Sequence, residues 1–267
     1  MENGHRNVKV LVTFALENEF AAWRKRRLFR EAQWGEERVY ATEIDGASVG
    51  VLLTGMGPDR AGAAAAGVLW SEWETIDFCL SAGLAGSLRP EFQVGDVVAA
   101  RAVVSGETRA GSREREIQCD PTLVSLAAAR GAKIVDRFFR SNHVVGTAEE
   151  KRRLGELAGI VEMESFEVLL EAGAFSIRAV AIRAISDGAD ENLPIDMNRI
   201  LSEQGDVSIP RVVGQIARRP QSLPGLVRLG QRSRDAAEAL AEYLDGYLIA
   251  LVKQMGAQNI KSTVVAG

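Results

Sequence analysis

The sequence is poor in the residues that usually advertise a special chemistry. It has two cysteines, Cys79 and Cys119, and two histidines in 267 residues. Two isolated thiols make neither a disulfide framework nor a metal-ligand cluster, so no metal is expected and a reducing cytoplasm is. No apolar run reaches the ~18 residues that a membrane-spanning helix requires. The segment 1–7 is polar and leads directly into an apolar stretch, whereas an export signal needs an apolar core before its cleavage site. Charge of one sign is not in excess either. Lys and Arg number 32 against 36 Asp and Glu, a formal net charge of -4, which offers no general attraction to nucleic acid.

What is present reads as one large α/β domain spanning 1–267, with a hydrophobic share of 46%, ample for a substantial core. Residues 8–14 form a β-branched run predicted as a buried strand. A helix is predicted over 17–29, with Phe20, Trp23 and Leu28 on or near one face. Strands over 38–44 and 47–54 flank Asp45-Gly46, the signal of a hairpin. Gly55-Met56-Gly57-Pro58 then breaks the chain before an Ala-rich helix over 59–73. Further strands are predicted at 78–82, ending at Gly83, and at 97–105, 138–145, 159–163 and 178–185. Helices over 121–130, 149–157 and 163–172 separate the later ones. This alternation predicts a three-layer α/β/α domain, its central sheet mixed because the hairpin is antiparallel.

Polar groups that follow apolar strands are the candidates for chemistry, since ligands meet such domains at the carboxyl ends of strands. Four places qualify. Glu17 and Glu19 open the helix after the first strand, where acids also complement the helix dipole. Ser81-Ala82-Gly83-Leu84-Ala85-Gly86-Ser87 offers small residues that let a ligand approach the backbone; its glycines do not have the dinucleotide-binding spacing. Glu162-Met163-Glu164-Ser165 delivers two carboxylates at a strand-to-helix junction, where a pair of capping acids would look the same. Ser186-Asp187-Gly188 follows the last strand, where an N-cap or turn would also favour Ser and Asp.

The order and spacing of "ALENEF", "TGMGPDRAGAAAA", "SAGLAGSLRPEFQVGDVV", "VEMES" and "RAISDGAD" resemble one family. It is that of the 5′-methylthioadenosine/S-adenosylhomocysteine nucleosidases and their purine and uridine phosphorylase relatives. The resemblance implies cleavage of the N-ribosidic bond of a purine nucleoside, without a cofactor. It makes Asp187 the general acid toward the purine, with Ser186 holding its carboxyl. It makes Glu19 the residue that activates the attacking water, and Glu164, with Glu162 beside it, a ligand of the ribose. Met163 would pack under the sugar, and Ser81, Ala82 and Gly83 would line the substrate. Val144 and Val145 would frame the base, with Val144 where relatives commonly place a stacking aromatic; His143 is expected to be structural. Gly55, Met56 and Gly57 would line the sugar or a subunit contact, and a homodimer or higher homo-oligomer is implied.

Hydrolysis is expected over phosphorolysis. Phosphorylase relatives hold phosphate with an arginine just before this glycine turn, where this sequence has Leu80-Ser81-Ala82, and a carboxylate at Glu19 suits water and repels phosphate. The alternatives are phosphorolysis of a lipid-linked adenosine and a nucleoside-binding protein without turnover. The 5′ substituent is open among methylthio, homocysteinyl, hopanyl and futalosine-like groups.

One segment departs from the small nucleosidases, an insertion over 192–232. Its part from 209 to 234 has six arginines and no acid, and holds three of the seven prolines. Similar extensions occur in a bacterial branch that removes adenine from adenosylhopane. A peripheral contact of 209–234 with an anionic membrane is one expectation; an ordinary surface subdomain or subunit contact is the other. Prolines 210, 220 and 224 argue against a continuous helix there, and the chain is expected to close with a helix over 235–254.

Overall fold

The computed structural model describes residues 7–105, 115–200 and 209–265. Strand β1 (Lys9–Phe14) buries Val10, Leu11 and Val12 completely, as a parallel strand covered on both faces must. Helix α1 (Glu17–Arg26) seats Phe20 and Trp23 in the core. It ends before residue 27, so Leu28 lies outside it and is exposed, contrary to the expected apolar face. An edge strand, β2 (Arg30–Trp34), comes next; its charged, half-exposed pattern hid it in the sequence. Strands β3 (Glu37–Ile44) and β4 (Ala47–Leu53) form the hairpin, with Ile44 opposite Ala47. Asp45 and Gly46 take φ of 47° and 83°, as a two-residue type I′ turn requires.

Helix α2 (Pro58–Glu72) carries its proline in the first turn, where the missing N–H costs nothing. Strand β5 (Phe78–Ser87) does not stop at Gly83 but runs on through the small residues. After β6 (Val97–Ser105) and the short polar β7 (Arg115–Gln118), α3 (Pro121–Ala129) is capped by Asp120, which accepts from Thr122 N and Leu123 N. Strand β8 (Lys133–Arg140) begins and ends earlier than predicted. It is followed by α4 (Ala148–Leu154), β9 (Ile160–Glu162), α5 (Ser165–Ala174) and β10 (Arg178–Asp187). The final helices are α6 (Met197–Ile200), α7 (Ile209–Arg218) and α8 (Leu223–Val265). As expected, the segment is not one continuous helix: a 3-10 turn at Pro220–Ser222 separates α7 from α8, while Pro210 and Pro224 sit in the first turns of those helices. α8 accordingly begins well before the predicted residue 235.

The domain has the expected three layers around a mixed sheet. On one side the strand order is β2-β3-β4-β1-β5, with β1 parallel to both β4 and β5. On the other side the sheet closes: β5 pairs with β9 and β10, β10 with β6, β6 with β8, and β8 with β9. This five-strand ring brings the ends of β5, β9 and β10 together. Helix α8 packs on α1, α3 and β10, while α2 pairs with α5. Cys79 and Cys119 are buried apart in the core, where desolvation pushes both thiols up to about 12. Among the described residues no helix is long and apolar enough to cross a membrane.

Candidate active site

Glu19 is the third residue of α1, and its side chain folds back over the helix start. Its Oε2 accepts from the N–H groups of Ala15 and Leu16, both at 3.1 Å, and its Oε1 from Leu84 N at 3.0 Å. The carboxylate thus bridges the end of β1 and the small-residue half of β5. Desolvation raises its pKa above the ordinary carboxylate value, opposed by the Leu84 N–H and the charge of Arg183.

Arg183 lies in the middle of β10, 1% exposed. Its Nη2 donates to Glu162 Oε2 at 2.6 Å, Ser165 Oγ at 3.0 Å and Ser81 Oγ at 3.3 Å. Glu164 Oε2 is 3.7 Å from the same nitrogen. Its Nη1 and Nε are buried without a partner. Nη1 lies 3.3 Å from where a Cβ on Gly83 would begin, and Glu19 Oε1 lies 3.2 Å from that point. A buried donor with no acceptor and a carboxylate therefore flank one small space, which only a glycine at 83 leaves open.

The two acids of β9–α5 have separate tasks. Glu162 Oε2 accepts from the backbone N–H of Glu164 at 3.0 Å and of Ser165 at 2.8 Å, capping α5 as well as pairing with Arg183. Glu164 Oε1 accepts from Gly57 N at 3.0 Å. Desolvation, then the neighbouring Glu162, pushes Glu164 up to about 8, against the pull of Arg183. Three carboxylates thus surround one guanidinium. Gly57 takes φ of 95°, a left-handed conformation that glycine adopts freely.

Asp187 ends β10, opposite Gly86 of β5, after a register irregularity at Ser186. Consecutive strand residues ordinarily point to opposite faces, and the bulge lets both side chains turn together. Ser186 Oγ is 2.8 Å from Asp187 Oδ1 and 3.2 Å from Ala85 O. The hydroxyl has one proton for these two acceptors. Given to Asp187 it holds the carboxylate; turned to Ala85 it leaves a lone pair for a protonated Oδ1. Lys151 Nζ contacts Asp187 Oδ2 and donates to Gly188 O at 2.7 Å. A Cβ on Gly86 would lie 2.9 Å from Asp187 Oδ2, so that glycine makes room for the carboxyl.

The other residues expected at the site are distributed around it. Ser81 and Ala82 are buried, the Ser81 hydroxyl committed to Ser165 and Arg183. Met163 is half-buried between the two acids. The backbone of Val144 is clamped by Asn198, whose amide makes two 2.8 Å bonds to its N–H and carbonyl. Val145 is buried in a small apolar cluster with Leu88, Phe139 and Val161. His143 is exposed and pairs with Glu150 at 2.8 Å. Sequence reasoning did not single out Arg183, Lys151 or Ser165. An arginine inside the apolar run "AVAIRAIS" was a usable signal, because burying a guanidinium demands partners. Lys151, within "EEKRR", carried none.

A cavity of about 350 Å³ joins Asp187 to Glu191, Pro194, Arg228 and Arg232. A larger one, about 1110 Å³, lies between Val144, residues 192–199 and α7, with Arg211, Arg218 and Arg219 on its wall. Pro194, Arg228 and Arg232 of the insertion therefore stand over Asp187.

Comparison with known proteins gives two findings. The Phosphorylase superfamily matches this chain over residues 9–209. Among solved structures, the fold is similar to that of Helicobacter pylori 5′-methylthioadenosine/S-adenosyl homocysteine nucleosidase (TM-score 0.70, 16% identity, covering 90% of this chain and 97% of that one). It is equally similar to Helicobacter pylori futalosine hydrolase (TM-score 0.71, 17% identity, 92% and 99% covered). The nucleosidase of Neisseria meningitidis gives a TM-score of 0.68 at 20% identity, with 91% and 99% covered. At these identities the likeness is one of fold.

Proposed function

This chain belongs to the phosphorylase superfamily, and from that premise we propose that it cleaves the N-ribosidic bond of a purine nucleoside by hydrolysis. The observation that carries the reading is the approach of Glu19 and the unpartnered Nη1 of Arg183 to the same side of Gly83, Arg183 being on the strand that ends in Asp187.

Breaking a ribosidic bond leaves an oxocarbenium-like sugar and electrons on the base. Asp187 protonates the departing purine, and Ser186 serves its carboxyl in either protonation state. Glu164 accepts from the ribose hydroxyls. Arg183 and Glu19 hold a water in the space at Gly83, the guanidinium donating to its oxygen and the carboxylate taking its proton. A glutamate with a raised pKa suits that task, since a general base works best when its pKa approaches the working pH. The charge count favours water over phosphate. Glu162 already neutralises Arg183, so the space beside Glu19 offers a phosphate dianion no net positive charge.

Three further readings are proposals of the same kind. The protein is a cytoplasmic homo-oligomer. Its insertion, residues 192–232, receives the 5′ substituent in the cavity beside Asp187. Residues 209–234, whose Val213, Leu223 and Val227 side chains are exposed, lie against anionic lipid.

The deciding experiment is chromatography of free base released from a panel of 5′-substituted adenosines, with and without phosphate, by wild type and Asp187→Asn. Release without phosphate, lost in the variant, is the expected result. Strict dependence on phosphate would move the chain to the phosphorylases, and binding without release would make it a nucleoside-binding protein.

A further inference from the structure

The helix α4 carries the charged run Glu149–Arg153, of which Glu149, Arg152 and Arg153 are exposed. Lys151 is the exception, with no exposed surface. An ammonium is not buried without a strong partner, and this one faces Asp187 Oδ2 and Gly188 O. Oδ1 of the same carboxyl faces the Ser186 hydroxyl. Each oxygen of the proposed acid thus has a proton-bearing group already placed beside it, the hydroxyl shared with Ala85 and the ammonium with Gly188. Of the two donors, only the ammonium can surrender a proton without leaving an alkoxide behind.

We propose that Lys151 is the positioning residue that supplies Asp187 with the proton given to the leaving base. The inference rests on Asp187 being the acid. As the bond from the sugar C1′ to the purine breaks, its electron pair goes to the purine. The purine takes a proton from the Asp187 carboxyl, and Asp187 takes one from Lys151, which is left as a neutral amine. The water oxygen bonds to C1′, and its proton goes to Glu19. Transfer of that proton through solvent from Glu19 to Lys151 restores both groups.

The test compares two ribosides in wild type, Lys151→Arg, Lys151→Met and Asp187→Asn. One is 5′-methylthioadenosine, whose base needs a proton to leave; the other is p-nitrophenyl riboside, whose nitrophenolate leaves without one. Arginine keeps the positive charge beside Asp187 but does not release a proton. The expected result is a loss of about a hundredfold or more on the purine substrate in both lysine variants, with nitrophenyl riboside cleavage within a few-fold of wild type. Retention of purine cleavage by Lys151→Arg would overturn the proposal, leaving only a charge partner. An equal loss on both substrates would overturn it as well, because a merely structural lysine acts on both. Asp187→Asn separates the two levels. If it spares purine cleavage, or if wild type cleaves no purine nucleoside, the assignment of the acid fails first. If it abolishes cleavage while both lysine variants stay active, only the role of Lys151 fails. Circular dichroism melting identifies a variant that does not fold, and the folded one of the pair then decides.

Discussion

Glu19 and Arg183 approach each other across Gly83, Oε1 and Nη1 lying 3.2 Å and 3.3 Å from the point where a side chain would start. The two groups come from α1 and β10, at opposite ends of the chain's first two hundred residues, and neither bonds directly to the other in the described contacts. They flank the point that the absent side chain of Gly83 leaves free. A buried donor with no acceptor is costly unless something occupies the space before it.

Filling that space is the simplest challenge. Gly83→Ala puts a methyl group against both side chains and is expected to lower base release by about a hundredfold, the scale of a lost acid–base contribution. Gly83 takes φ of 153°, which side chains rarely adopt, so the melting temperature should fall as well, and turnover is compared at a temperature where the variant is folded. Turnover near wild type would mean that the water sits elsewhere.

Glu164 links the site to pH. Its pKa is raised on folding, to about 8, so the folded form holds its proton more tightly than the unfolded one. Its contribution to stability is then fully present below the ordinary carboxylate range and is lost as the pH rises through about 8. Glu164→Gln removes that loss. Between pH 5 and pH 8.5 its melting temperature should fall less than that of wild type, by several degrees, given ~1.4 kcal/mol per pKa unit and ~2–4 °C per kcal/mol. Its KM for nucleoside should rise, because an amide accepts more weakly from the ribose hydroxyls. Parallel melting curves would remove Glu164 as the source.

Glu162 is expected to act on stability first. It neutralises the buried Arg183 and caps α5 through two backbone N–H groups. Glu162→Ala leaves that guanidinium uncompensated, at a cost of ~3–5 kcal/mol, which thermal denaturation should register as a drop of roughly 10 °C. A variant that melts like wild type but binds nucleoside poorly would make Glu162 a substrate ligand.

The proposed homo-oligomer has a surface to test. Trp70 is 70% exposed on α2, and it and Trp73 both pack on Phe175. Light scattering should give a dimer or larger for wild type and a monomer for Trp70→Glu. Equal masses would put any contact on another face.

Residues 209–234 make the last prediction. Cosedimentation with anionic vesicles should occur at low salt and reverse at high salt, as screened attraction requires. A protein that stays in the supernatant at low salt leaves the arginines of this segment a solvated or ligand-facing role.

Much of the fold was legible because its signals are local. The unbroken apolar run of β1 and the Asp45-Gly46 turn each depend on a few neighbouring residues. The misplaced boundaries have local causes too. The small residues after Gly83 read as a loop, although they pair with β10 and β9 inside the ring. The charged β2 and the polar β7 lack the alternation that marks a half-buried strand.

The sequence by itself determined the alternation of strands and helices, the position of each carboxylate at a strand end or helix start, and the family resemblance those carry. Tertiary structure alone decided which charges lost their water. Lys151 and Arg153 are two residues apart in the same helix, yet one is fully buried and the other exposed. Closure of the strand ring decided that Arg183 would face three glutamates, and that Gly83 and Gly86 would be the glycines whose missing side chains make room. The physical reason is distance along the chain: Lys151 meets Asp187 and Glu19 meets Arg183 only after folding, and desolvation depends on what the fold packs around a group.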